Sequence, residues 1–281
     1  MKKKNLEKAI ILGLILSTGI YGTAWAEDYS KTNSPYNTSI TDADNTVTGD
    51  VVFELDNKAL ITNSGKDITV IGKDENSSLS ITTNGTTILN TTNGNTTIGI
   101  DGDINLTSVY FNKENEKAYA IHSQVGTTEI ISKNGDITID ISNAKPSNPN
   151  DKVKFTYLNA LSTSDDKYQG GSNIRIDAAG TVTVKAETVG SSSVNAIDSQ
   201  IGFSKKDNSI NISGSNVNII ANDGGNQGQS HGIQLVHYGL DDSIGNNVIK
   251  ITGTGLDKNG DAFKDDKNAE PLENYLNNSY N

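Results

Sequence analysis

Residues 195–219 read NAIDSQIGFSKKDNSINISGSNVNI. An Ala196-Ile197 pair is followed by a polar stretch and then by two runs in which aliphatic and polar residues alternate, Ile210-Asn211-Ile212 and Val217-Asn218-Ile219. Period-two alternation puts every second side chain on one buried face, the pattern of a short, half-exposed strand. The same pattern recurs in Ile68-Thr69-Val70, Leu79-Ser80-Ile81, Ile98-Gly99-Ile100, Ile137-Thr138-Ile139-Asp140-Ile141, Ile174-Arg175-Ile176 and Val182-Thr183-Val184. No comparable helical period follows Ala26. Between the runs lie Asn84-Gly85, Asn93-Gly94, Asn134-Gly135, Ala179-Gly180 and Ser213-Gly214, which read as turns because Gly and Asn enter left-handed backbone conformations cheaply.

The runs repeat as a group. Ala120-Ile121, Ala160-Leu161, Ala196-Ile197 and Gly232-Ile233 each join one small and one aliphatic residue, and their aliphatic members lie 40, 36 and 36 residues apart. A fixed period in this range indicates a solenoid. The expected fold is therefore all-β, a right-handed parallel β-helix with about two coils per period and a narrow interior column of Ile, Val and Leu. Stacked Asn side chains are expected to hydrogen-bond along that column. Asn-Gly is also a strong hairpin signal, so an antiparallel sandwich is the rival; the long-range period favours the helix.

Upstream of the repeats, Lys2, Lys3, Lys4 and Lys8 precede an apolar run from Ala9 to Ile20 and then Ala24-Trp25-Ala26. This matches a secretory signal cut between Ala26 and Glu27. A retained spanning helix would need about 20 mainly apolar residues, and Gly13, Ser17, Thr18 and Gly19 interrupt this run. Cleavage removes four Lys and one Glu, taking the formal charge from -11 to -14, together with the sole Trp and the sole Met. The mature chain then has no Cys, so no disulfide staples it, and one Arg, Arg175. Clustered Lys and Arg for nucleic acid are missing, and no nucleic-acid partner is expected.

An export signal, an acidic exterior rich in Asn, Thr and Gly, the lack of Cys, and units such as Tyr119-Ala120-Ile121 or Asn195-Ala196-Ile197 followed by Ser209-Ile210-Asn211-Ile212 resemble the passenger region of a bacterial autotransporter. The resemblance runs from Met1 to about Gly253. It implies transport through an outer-membrane β-barrel translocator, in cis if the chain continues, and adhesion to a host-cell, matrix or bacterial surface receptor. It also implies a location at the cell surface or outside a Gram-negative-type bacterium. The departure is at the C-terminus: residues Leu256 to Asn278 are polar and the sequence stops at Tyr280-Asn281, whereas such a barrel would supply many strands with aromatic girdles.

Catalytic signatures are weak. Asp165-Asp166, Asp241-Asp242 and Ser230-His231-Gly232 superficially resemble polygalacturonase motifs, but the Asn-Thr-Asp element is missing and no Arg-x-Lys follows His231. No Gly-x-Ser-x-Gly elbow is present. His122, His231 and His237 are isolated and receive no role. A weak calcium candidate lies at Asp257, Asn259, Asp261 and Asp266, where oxygen ligands alternate around Gly260, although Gly255 occupies the first ligand position. No cofactor is expected.

The organisation read from the sequence is a signal peptide at 1–26, an N-terminal cap or linker at 27–50, a β-helix at 51–253, and a polar tail or the start of a continuation at 254–281. The expected role is an exported surface solenoid that binds through loops such as Ser142 to Lys154 and Ser162 to Ser172. The alternatives are a secreted polysaccharide lyase or hydrolase on the same fold and a purely structural envelope spacer.

Overall fold

Short aliphatic-x-aliphatic runs cannot bury their apolar edges alone, and in this chain they do so by winding. The computed structural model describes residues 27–110, 116–143, 155–163, 171–188, 193–201, 207–222, 229–237 and 247–255. An N-terminal segment opens with β1 (Glu27–Ser30) and a single 3-10 turn, Lys31–Asn33. Three-strand coils follow. The first contains β2 (Asp44–Thr48), β3 (Asp50–Leu55) and β4 (Ile61–Ser64), and the second β5 (Ile68–Gly72), β6 (Ser78–Thr83) and β7 (Thr87–Asn93). The third contains β8 (Thr96–Ile100), β9 (Ile104–Tyr110) and β10 (Glu116–Ser123), and the fourth β11 (Gly126–Ser132), β12 (Ile137–Asn143) and β13 (Phe155–Ser162). The fifth contains β14 (Ser172–Ala178), β15 (Thr181–Glu187) and β16 (Ser193–Ile201). The sixth contains β17 (Asn208–Asn222) and β18 (Gln229–His237), and β19 (Asn247–Gly255) begins a seventh.

Every pairing between these strands is parallel and joins a strand to its counterpart one coil away, as in β2–β5, β3–β6 and β4–β7. The result is an all-β, solenoid-like stack with three faces. The first and second faces merge through β17 into a 13-stranded sheet, and the third is a separate 6-stranded sheet. Neighbouring coils are therefore one interstrand spacing apart, ~4.8 Å.

Two sequence expectations are corrected by the pairing. The aliphatic anchors Ile121, Leu161, Ile197 and Ile233 sit directly on one another in a single ladder, so one period is one coil and not two. The ladder extends back through Leu89 and Ile61 to Ile40. Two strands per period are evident from alternation; the third, which carries the anchor, is hidden because its pattern is irregular. Ser213-Gly214 also departs from expectation. It is no turn: β17 runs through it, with a register shift between Ser213 and Asn216, and passes from β14 to β15 as its neighbour.

The apolar residues of the alternating runs form columns along the interior. Val51, Leu79, Ile104, Ile137, Val182 and Val217 are consecutive ladder partners, and all are buried. Between them on each strand stand half-exposed Ser80, Asn105, Thr138, Thr183 and Asn218. A thin column therefore suffices to order a polar chain. The column is closed at its N-terminal end by aromatic rings. Tyr29 lies edge-on to Tyr36 at 4.9 Å, and Phe53 sits 5.0 Å from Tyr29 and 5.3 Å from Tyr36.

Corners are fastened by side chains that accept hydrogen bonds from the backbone of an adjacent coil. Asp103 Oδ1 accepts from the Asp136 N–H at 2.8 Å, and Asp136 Oδ1 accepts from the Thr181 N–H at 2.6 Å. Asn95 Oδ1 accepts from Thr127, and Asn208 Oδ1 from both Gly171 and Ser172. Because the Asp136 bond is solvent-exposed, we expect Asp136→Ala to cost about 1 kcal/mol, with Asp136→Asn recovering most of it; urea midpoints of the three proteins check this.

Candidate functional site on the third face

The irregularity of the third-face strands creates the most distinctive chemistry of the fold. In β10, Ala118, Ala120 and Ile121 all belong to the apolar core, so alternation slips by one residue between Ala120 and Ile121. Leu158, Ala160 and Leu161 do the same in β13, and Val194, Ala196 and Ile197 in β16. The slip turns the residue before each small-aliphatic pair and the residue after it to the opposite side of the sheet. Ladder pairing then assembles two columns: Tyr119, Asn159, Asn195 and His231 in one, and His122, Ser162, Asp198 and Gln234 in the other.

Outward positions on the second face are half-exposed, yet on the third they are buried: Asn195 is 0 % and Asp198 1 % exposed. Polar groups removed from water need partners, and these have them. Asn195 Nδ2 donates to Asn159 Oδ1 at 2.9 Å and to Gln234 Oε1 at 3.0 Å. His231 Nδ1 lies 3.1 Å from Asn195 Oδ1, an acceptor, so this nitrogen carries the proton. Asn159 Nδ2 donates to Asp198 Oδ2 at 2.9 Å, and Gln200 Nε2 donates to both Asp198 oxygens at 3.0 and 2.9 Å. Asn side chains thus stack and hydrogen-bond from coil to coil, but on the opposite side of the sheet from the apolar core and not along the interior column where they were expected.

Asp198 is the group whose ionisation this setting changes most. Loss of water pushes its carboxyl up from 3.8 to about 6, while the Gln200 and Asn159 amides and the Lys117 ammonium pull the other way. Below Asp198 in the stack, the Tyr119 and His122 rings lie nearly parallel with centroids 4.4 Å apart, and Lys117 Nζ stands 5.6 Å from the centre of the Tyr157 ring. Asn159, Asn195 and Asp198 are out of reach of solvent and bonded within the ladder, so what these side chains do is hold the third-face strands in register from coil to coil. Glycoside cleavage would ask for a second carboxylate opposite the first, and the hydrogen-bond network around Asp198 is made of amides.

Of the residues singled out in the sequence, His122 and His231 fall in these columns, whereas for His237 only the backbone is described. Ser230-His231-Gly232 lies on β18, the last rung of the third face. Arg175 is on the first face, 3.5 Å from Glu129 and 3.2 Å from Asp177, in an ion network of its own. Residues 1–26 up to Ala26, Asp165-Asp166, Asp241-Asp242 and the calcium candidates Asp257, Asn259, Asp261 and Asp266 lie outside the described residues, and Glu27 is the first residue within them. Among the described residues no group of three His, Asp or Glu could hold a metal. Asn159, Asn195 and Asp198 received no role from the sequence. Their signal is positional: they flank the small-aliphatic pairs at the period of the repeat.

Comparison with family models, curated proteins and solved structures finds no match to this chain.

Proposed function

We propose that the chain is an exported, surface-displayed solenoid, a right-handed parallel β-helix cut from its signal peptide after Ala26, and that it acts by binding, as an autotransporter passenger of the adhesin type does. The observation that carries this reading is where the coils gain length. The corner between first and second faces stays short, residues 179–180 in the fifth coil, and vanishes within β17. The two rims of the third face instead hold residues 144–154, 163–171 and 238–246. Variable chain set beside one polar face of a rigid stack is the arrangement by which scaffolds bear recognition. The partner in this reading is a receptor on a host cell, matrix or another bacterium.

The test is binding by the purified mature chain, residues 27–281, to cultured cells and immobilised matrix. Saturable binding that falls at least about tenfold when 144–154 is replaced by a Gly-Ser linker, with the unfolding midpoint preserved, supports the reading; loop ordering and contacts at this scale are worth a few kcal/mol. Binding to no surface, or binding indifferent to that replacement, overturns it. A polysaccharide-cleaving enzyme would instead release reducing ends or unsaturated products from acidic glycans.

A further inference from the structure

Four side chains of the third face form a hydrogen-bonded chain with a single direction. His231 Nδ1 meets Asn195 Oδ1 at 3.1 Å, Asn195 Nδ2 donates to Asn159 Oδ1 at 2.9 Å, and Asn159 Nδ2 donates to Asp198 Oδ2 at 2.9 Å. The path starts on β18 in the sixth coil, enters β16, drops to β13 in the fourth and returns to β16. An amide can turn over in place, exchanging donor for acceptor, and a neutral imidazole can carry its proton on either nitrogen. Asn159, Asn195 and His231 could therefore run the chain in either sense. Asp198 cannot, because an ionised carboxylate only accepts.

Direction is thus imposed from the Asp198 end. Asn159 must turn Nδ2 towards the carboxylate, which leaves its Oδ1 for Asn195. Asn195 must then offer Nδ2, which leaves its own Oδ1 for His231, and the ring must meet that oxygen with an N–H. The neighbours of the chain set no sense of their own. Gln234 Oε1 accepts from Asn195 Nδ2 at 3.0 Å and Gln200 Nε2 donates to Asp198, but both amides can turn over with their partners. Ser193 Oγ, 3.3 Å from Asn195 Nδ2, is a hydroxyl able to accept or donate. Asn159, Asn195 and Asp198 are buried, so water does not compete for these bonds, whereas His231 is only partly buried.

We propose that Asp198 is a positioning residue: acting through Asn159 and Asn195, it holds the His231 ring in its Nδ1–H form. Which ring nitrogen carries the proton is set by the hydrogen bond that the ring makes, and in the neutral ring the other keeps its lone pair. That other nitrogen, Nε2, has no partner among the described residues. On the last rung of the third face the stack then presents an acceptor for a hydroxyl or amide N–H, where a ring left to itself could equally present a donor.

Nitrogen-15 NMR of the mature chain, residues 27–281, at pH 8 tests it, because protonated and bare ring nitrogens differ widely in shift. The His231 signals are identified by their loss in His231→Gln. In the parent protein the ring is expected almost wholly in the Nδ1–H form. In Asp198→Asn the group at 198 can accept or donate, and the ratio of Nε2–H to Nδ1–H rings is expected to rise about tenfold, the scale of one hydrogen bond. Asn159→Ala keeps the Asp198 charge but cuts the chain, and should raise the ratio similarly. Gln200→Ala removes a partner of Asp198 that stands outside the chain, and should leave the ratio at the parent's value; a purely structural role for Asp198 would make both its own variant and this one shift it. Three results overturn the proposal: an Nε2–H ring in the parent, a ratio unmoved by Asp198→Asn or by a folded Asn159→Ala, or a rise in Gln200→Ala equal to that in Asp198→Asn. The comparison of Asp198→Asn with Gln200→Ala decides the matter by itself if Asn159→Ala does not fold.

Discussion

Asp198→Asn raises the thermal unfolding midpoint at pH 7.5 by several degrees and leaves it nearly unchanged at pH 4. The carboxyl of Asp198 titrates at about 6 in the folded chain against 3.8 for an ordinary aspartate, because burial disfavours its charged form. A raised acid pKa means that the native state binds the proton more tightly. The group therefore destabilises the fold fully above pH 6, and the penalty is relieved as pH falls from about 6 towards 3.8. Two pKa units at ~1.4 kcal/mol each set a ceiling of about 3 kcal/mol on the gain. Asn keeps an acceptor for Asn159 or Gln200 and offers a donor to the other once that amide turns over. Asp28 and Asp50 work in the opposite direction: hydrogen bonds from Lys73 and Lys31 hold their carboxyls below 3.8, so their contribution is lost only in stronger acid. Between pH 6 and pH 4 the parent protein should thus become more stable on acidification, and the Asn variant should lose that slope. A variant less stable than the parent at pH 7.5 would refute the assignment.

Gly126→Ala is expected to destabilise the fold by about 2–4 kcal/mol, measured as a fall in the urea midpoint. Gly65, Gly94, Gly126 and Gly171 all occupy the corner from third to first face, with φ of 127°, 107°, 105° and 101°. A side chain is strained in that region, and at Gly126 a Cβ would also run into the Gly94 carbonyl of the coil below. Gly65 supplies the control. It shares the positive φ but has nothing within 4 Å of an added Cβ, so Gly65→Ala should cost the backbone term alone. Equal losses at both positions would mean that coil-to-coil contact at this corner carries no weight.

These two sites mark the limits of what the sequence discloses. Ile174-Arg175-Ile176 and Val182-Thr183-Val184 announce their strands and their inward faces, because alternation is a local property of a half-exposed strand. The repeat of Ala-Ile pairs likewise announces stacking. The number of coils per period is obscured by the slip in β10, β13 and β16, where Ala120 and Ile121, adjacent in sequence, both turn inward and remove the alternation that would have revealed a third strand. Ser213-Gly214 is ambiguous for a related reason: glycine permits a turn without requiring one. Asp198 is harder still. In a chain crowded with Asn, Ser and Asp nothing local distinguishes it: its altered acidity comes from burial in the stack, and one of its amide partners, Asn159, is one coil away and 39 residues distant in sequence.

The unbroken course of β17 gives the stack a mechanical character. A solenoid held by nearest-neighbour contacts frays from its end, and each corner offers a place where one face can detach while the next stays bound. β17 carries no intervening turn there: one continuous strand, with an irregularity between Ser213 and Asn216, is paired with β14 along Ser209–Ser213 and with β15 along Asn216–Asn222. Peeling the final coil therefore requires both ladders to give way together, so this rung acts as a clutch between a fraying tip and the body of the column.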